Sequence, residues 1–286
     1  MSESAAHTIG GHYEAELAAA EALAAEAGPL VLGYRDGDLG VEMKVHDEPV
    51  TAADRAASDL VVRGLENQFP ADVVISEERA DNLERLSRDR VWYIDPIDGT
   101  KDFIRGESGF AIMIGLTEAA APVAGVLYQP TEDRMFLAAR GAGCWLAQRG
   151  APPRRLHCSD VTELSEIRLV ASKSHRGRAL DDVKSRLGIS GELNIGSVGL
   201  KIGIIATGER DLYVNPASRT KLWDSCAPQI VIEEAGGRLT DLHGDPLRYD
   251  LEDTHNRRGL VASNGRLHEA VIEKLAPMFP RPGETA

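Results

Sequence analysis

The chain has 286 residues, 43% of them hydrophobic, and 45 acidic against 32 basic side chains give a net charge of −13. That length supports a large core in one domain or, slightly favoured, two. The acidic excess argues against non-specific binding of nucleic acid or anionic membrane, and no apolar run reaches transmembrane length.

The start, Met1-Ser2-Glu3-Ser4, lacks the basic-then-apolar pattern of a signal peptide. The three cysteines are isolated, with no C-x-x-C or Cys/His zinc spacing, which predicts reduced thiols in a cytoplasmic protein. Leu17, Ala20, Leu23, Ala24 and Ala27 recur at helical spacing, so Tyr13 to about Tyr34 reads as an amphipathic helix. Val41 to Val45 alternates as a strand does. Thr51 is placed to cap a helix running to about Gln68, with Asp54 at its third position. Taken alone, Asp54 is an ordinary first-turn acid complementing the helix dipole.

Val73-Val74-Ile75 is a short strand followed by Ser76-Glu77-Glu78, and Arg79 to Arg90 reads as a loop or short exposed helix. Val91 to Ile94 is β-branched and aromatic, a buried strand that Pro96 should stop, because proline lacks a ladder donor. Asp95 and Asp98 then lie across one turn. Gly99 lets a ligand approach its backbone, and Thr100 offers a hydroxyl and a helix start whose free N–H groups favour an anion. Two carboxylates, the Ile97 carbonyl and a hydroxyl suit a hard cation such as Mg²⁺.

Strands follow at Phe110–Leu116, Val123–Tyr128, Arg134–Ala139 and near Cys144–Leu146, in an antiparallel meander. The polar, proline-bearing stretch Ala151–Arg155 is the best boundary, giving halves 1–150 and 151–286. The second half alternates strand and helix. Ile167–Ala171 ends in the cationic loop Ser172-Lys173-Ser174-His175-Arg176. Asn194 to Lys201 opens a helix to about Thr207, on which Lys201 stands among apolar residues; taken alone, such a lysine extends to water. Asp211–Val214 is a strand, and Trp223-Asp224 begins a helix ending at Gly236-Gly237. Two more strands, a helix from about Arg266 to Leu275 and a loose tail from Phe279 close the chain.

Asp95-Pro96-Ile97-Asp98-Gly99-Thr100 resembles the signature of the inositol monophosphatase superfamily. Val50-Thr51-Ala52-Ala53-Asp54 and Trp223-Asp224-Ser225-Cys226-Ala227, with Glu234-Ala235-Gly236-Gly237 after it, resemble two further motifs of that family. Lys101-Asp102-Phe103-Ile104 is closer to the 3′(2′),5′-bisphosphate nucleotidase branch than to the inositol branch.

The resemblance covers the chain from about Tyr13 to the last helix. It implies a layered αβαβα sandwich, with a mostly antiparallel N-terminal sheet and a C-terminal α/β sheet. It also implies a lithium-sensitive phosphomonoesterase using two or three Mg²⁺ ions. The metal ligands carried over are Glu77, Asp95, the Ile97 carbonyl, Asp98 and Asp224. Thr100 paired with Asp54 would orient or deprotonate the attacking water. Gly99 and Thr100 would hold phosphate, and His175, Ser197 and Lys201 would read the nucleotide.

Some nucleotidases have an arginine where Asn215-Pro216 stands, a place Arg219 or Lys221 would have to fill. Inositol enzymes have a glutamate at the position of Ala217, so its absence weakens that reading. The expected partner is a small phosphorylated metabolite, handled by a monomer or homodimer, with no nucleic acid and no membrane insertion. Inositol-1-phosphatase, histidinol-phosphatase and fructose-1,6-bisphosphatase activities stand as enzymatic alternatives, and a phosphate- or nucleotide-sensing protein as a non-catalytic one.

Overall fold

The computed structural model describes residues 9, 11–37, 39–44, 48–173 and 178–281. Seven strands make the larger sheet: β3 (Val73–Ser76), β4 (Arg90–Asp98), β5 (Ala111–Glu118), β6 (Ala121–Gln129), β7 (Arg134–Ala139), β8 (Gly143–Gln148) and β9 (Ala151–Leu156). They lie in chain order, every pair antiparallel except β3 with β4. The period of two along a strand sorts the residues of this sheet onto its two faces.

Ile112, Ile114 and Leu116 of β5 face helices α1 (Glu14–Gly33) and α2 (Ala52–Gln68). Ala111 and Met113 face helices α5 (Val198–Ala206) and α6 (Leu222–Glu234). A five-stranded sheet covers the far side of α5 and α6, in the order β11 (Glu192–Ile195), β10 (Leu169–Ser172), β12 (Leu212–Asn215), β14 (Leu260–Ser263), β13 (Arg238–Thr240). Its outer face packs on α4 (Arg178–Leu187) and α7 (His268–Leu275). The layers are therefore α1 and α2, large sheet, α5 and α6, small sheet, α4 and α7: the expected αβαβα sandwich.

Several local expectations change. β4 does not stop at Pro96. It runs on to Asp98, because β3 ends its pairing at Ile94 and so asks nothing of the proline nitrogen. On the other side the register with β5 shifts between Asp95 and Asp98, and this bulge accommodates Pro96.

Residues 151–155, expected as the boundary between the halves, lie in the edge strand β9. An edge tolerates its two prolines, and the first sheet extends to Leu156. The strand expected at Val41–Val45 shrinks to the exposed β1 (Glu42–Met43), paired with β2 (Pro49–Val50); Val45 lies outside the described residues. In the charged stretch after Glu78, Arg85 is buried. Phe279 packs partly buried on the outer core instead of hanging loose.

The two halves of the chain share the layer of α5 and α6, and glycines set how closely it approaches. A Cβ on Gly115 would lie 2.6 Å from Ala227 N, and one on Gly125 would lie 2.9 Å from Ala227 Cα. These two glycines pair across β5 and β6. Together they let α6 rest directly on the sheet backbone.

Candidate active site

The end of β4, the short helix α3 (Thr100–Ile104), the start of α5 and the start of α6 surround one cavity of roughly 200 Å³. Asp95, Asp98 and Asp224 each offer it a carboxylate oxygen, and these three atoms lie within 4.8 Å of one another. Each carboxylate is fixed by the local chain. Asp95 Oδ1 accepts from the Ile97 N–H at 3.0 Å, across the bulge. Asp98 Oδ2 accepts from the Ser197 hydroxyl at 2.5 Å and the Gly199 N–H at 2.8 Å, at the N-terminus of α5. Asp224, in the first turn of α6, accepts from the Lys221 N–H at 2.6 Å. Sequence positions 95 and 224 thus meet because α6 lies on the glycine-lined face of the sheet.

Burial pushes the Asp95 carboxyl well above the usual range, and repulsion from Glu77, Asp98 and Asp224 adds to it. Asp224 is raised the same way, first by burial and then by Asp98 and Glu77. Asp98 is raised by burial, against the opposing pull of Lys201 and Ser197. A buried knot of carboxylates that cannot all ionise comfortably is the electrostatic state that a bound cation relieves, and an all-oxygen donor set suits a hard divalent ion.

Glu77 lines the same cavity. Its N–H continues the β3–β4 ladder by donating to Ile94 O at 3.1 Å. Its carboxylate meets Lys44, whose Nζ lies 3.2 Å from Glu77 Oε1 and 2.5 Å from Glu78 Oε1. Glu77 therefore stands at the margin of the tight aspartate group, with a lysine for company, and Glu78 is its partly shared, largely buried neighbour.

Thr51 caps α2 as expected, and Asp54 completes a reciprocal capping box with it. Asp54 Oδ2 accepts from the Thr51 N–H at 2.7 Å and the Thr51 hydroxyl at 2.6 Å, which leaves Oδ1 to face Thr100 at 3.4 Å. The Thr100 hydroxyl also sits 3.1 Å from Ile97 O. Burial raises Asp54 to about 6. Gly99 lines the cavity with φ +100°, and a Cβ there would lie 2.7 Å from Gly109 O. Glycine is required by backbone conformation and by the close approach of Gly109 and Phe110, in addition to any ligand.

Lys201 does not extend to water. Its side chain is 1% exposed, with Nζ 2.7 Å from Gly196 O, 3.2 Å from Ile195 O and 5.1 Å from the Tyr213 ring centroid. Burial lowers it to about 8, against the attraction of Asp98, Asp102 and Asp224. Ser197 was expected to touch substrate. Instead it is fully buried, and its hydroxyl caps α5 by accepting from Leu200 N–H while donating to Asp98. His175 lies outside the described residues. Arg219 and Lys221 both line the cavity beside Asn215, and Lys221 also pairs with Glu48 at 3.3 Å.

Three features escaped sequence reading. Lys44 sits in a short exposed strand region with nothing local to mark it. Gly115 and Gly125 look like ordinary strand residues, though a glycine inside a strand is a known sign of close backbone approach. Asp102 reads as a helix acid, but is buried between Gly109 and Gly196, and among the described residues neither carboxylate oxygen has an aligned donor, with Lys173 Nζ 3.3 Å away.

The model of the inositol monophosphatase family matches residues 12–278. A histidinol-phosphatase of Mycobacterium tuberculosis is 36% identical, over 83% of this chain and 88% of that protein. The 3′(2′),5′-bisphosphate nucleotidase CysQ of Escherichia coli is 34% identical, over 84% of this chain and 96% of that protein. Among solved structures, the extragenic suppressor protein suhB from Bartonella henselae superposes with a TM-score of 0.79 at 25% identity, covering 91% of this chain and 98% of that one. The sandwich, the joint acidic site and a family match spanning nearly the whole chain together establish that this protein belongs to the inositol monophosphatase family.

Proposed function

We propose that this protein is a Mg²⁺-dependent phosphomonoesterase that converts adenosine 3′,5′-bisphosphate to AMP and phosphate. The observation that carries the reading is the coexistence, in one cavity, of an oxygen-only acidic group with a fully buried ammonium, that of Lys201. The acids suit divalent ions and the ammonium suits a second phosphate of the substrate. When bound, two or three Mg²⁺ ions would supply charge neutralisation and acidification of water.

Asp95, Asp98, Asp224, Glu77 and the Ile97 carbonyl would hold the metal. For Glu77 this means exchanging Lys44 for the ion. Asp54, anchored through one oxygen by Thr51, is free to take a proton from the Thr100 hydroxyl or from water beside it. Gly99 and Thr100 would hold the scissile phosphate through their N–H groups. Lys201, with Arg219 or Lys221, would fix the far phosphate or sugar, so that remote binding energy aligns the ester. His175 belongs to the same proposal through the family resemblance.

A histidinol-phosphatase reading is supported by the 36% identical relative. A phosphate-release panel over adenosine 3′,5′-bisphosphate, histidinol phosphate and inositol 1-phosphate, with Mg²⁺ added and then removed by EDTA, separates them. The proposal expects the bisphosphate to have the highest kcat/KM and EDTA to abolish turnover. A clear preference for histidinol phosphate would overturn the substrate, and turnover in EDTA would overturn the metal. Asp98→Ala should lower kcat by at least roughly a thousandfold with the fold intact, since both metal binding and the α5 contact depend on that carboxylate.

A further inference from the structure

Tyr249 is buried behind the cavity lining, packed with Trp223, and connects the two elements that carry the aspartates. Its carbonyl accepts from the Tyr93 hydroxyl at 3.2 Å, and Tyr93 stands on β4 two residues before Asp95. Its own hydroxyl donates to Gln229 Oε1 at 2.9 Å and lies 3.2 Å from Ser225 Oγ, on α6 immediately after Asp224. The two tyrosine rings meet edge to face, with centroids 5.5 Å apart.

Around them Ile75, Val91, Leu222, Trp223 and Cys226 close an apolar cluster, so these hydrogen bonds lie away from competing water. The segment that holds Tyr249 is itself fastened to both sides. The Arg85 guanidinium donates to Leu251 O and Glu252 O, each at 2.7 Å. Asn256 donates through its backbone to Thr220 O at 2.8 Å and through its amide to Lys221 O at 2.9 Å, and the Leu222 N–H donates to Thr254 O at 2.9 Å. Residues 249–256 thus form a clasp from the strand side of the site to the entry of α6.

We infer that Tyr249 is a positioning residue that fixes the separation of Asp224 from Asp95 and Asp98, and through it the affinity for divalent cations. Asp224 is the only one of the three that does not come from β4. Its place depends on the rotation and height of the first turn of α6, and Tyr249 ties that turn to β4. Without the hydroxyl, Gln229 and Ser225 lose their shared partner, and the first turn of α6 keeps the Asn256 and Thr254 contacts and the apolar packing but no side-chain tie to Tyr249. The inference rests on the metal-dependent reading above.

The test uses the whole chain, stripped with EDTA and titrated with Mn²⁺ followed by electron paramagnetic resonance. Four proteins are compared: wild type, Tyr249→Phe, Asp224→Asn and Val271→Ala, the last in the outer core. Tyr249→Phe keeps the ring and removes only the hydroxyl. Its Mn²⁺ Kd should rise roughly tenfold, the lower end of the effect of losing a support behind a ligand. Asp224→Asn should lose affinity further. Val271→Ala should lower Tm and leave the Kd unchanged, as a merely structural lesion does. A wild-type Kd for Tyr249→Phe, with Asp224→Asn impaired, overturns the role of Tyr249 and leaves the metal site standing. A wild-type chain that binds no Mn²⁺ overturns the metal reading itself.

Discussion

Replacing Lys201 by Met separates what this side chain does for substrate from what it does to the fold. The ammonium is wholly buried and, after attraction to three aspartates, still titrates at about 8 against 10.5 for a free lysine. At about 1.4 kcal/mol per tenfold, holding that charge at neutral pH costs the folded metal-free protein roughly 3 kcal/mol. Methionine keeps the apolar stem but withdraws a donor from Gly196 O and Ile195 O, a loss of about 1 kcal/mol each.

The balance leaves Lys201→Met slightly more stable than wild type at pH 7, by about 1 kcal/mol. Because the folded pKa lies below the unfolded one, the folded protein gives up its proton first. Wild-type stability should therefore rise between about pH 8 and 10.5, and that rise should vanish in the variant. Urea unfolding in EDTA at several pH values measures both effects. The same variant should lose roughly tenfold to a hundredfold in kcat/KM for adenosine 3′,5′-bisphosphate, with little change for a substrate carrying one phosphate. A variant destabilised by several kcal/mol, or one equally impaired on both substrates, would refute the argument.

Asp54 must be ionised to accept a proton, and burial holds it at about 6 in the metal-free protein. Cations bound nearby lower that value, so kcat should fall with decreasing pH in a limb at or below about 6. Asp54→Asn should remove the limb and lower kcat by roughly a hundredfold or more, read from pH–rate profiles. Gly115→Ala places a Cβ 2.6 Å from Ala227 N and 2.7 Å from Cys226 Sγ, so α6 must move off the sheet. A cost of about 1–3 kcal/mol and weaker Mg²⁺ binding should follow, checked by thermal melting and calorimetric titration.

His268 is buried with one ring nitrogen 2.8 Å from Thr240 Oγ1 and the other 2.9 Å from Ser263 Oγ, and burial lowers it to about 4. The unfolded chain takes up its proton near 6.5. This site therefore removes up to roughly 3 kcal/mol of stability as pH falls from 6.5 to 4. A His268→Gln variant should show a flatter pH dependence in urea melts, and an unchanged slope would reject the assignment.

The helices with clear periodicity, the Thr51 cap with Asp54 at the third helical position, and the hydrophobic strands of the meander were legible from residue order, because each depends on neighbours a few positions away. The acidic residues of the site were legible through their motifs. That Asp224 reaches Asp95 was not deducible from local physics, since it depends on α6 lying against Gly115 and Gly125 from another part of the chain.

The same reason explains what was misread. Pro96 stops a strand only where a partner requires its N–H, and whether one does is a matter of where β3 ends. Residues 151–155 read as a boundary by composition and become part of an edge strand because β8 offers them a ladder. For Lys201, charge alone predicts reach to water while the family resemblance implies a nucleotide contact, and the packing buries it against Gly196 O, Ile195 O and nearby carboxylates. The sequence by itself determined the elements and the chemical character of the site. Tertiary packing alone decided which charges are buried together, because burial and repulsion depend on distances in space that no spacing along the chain contains.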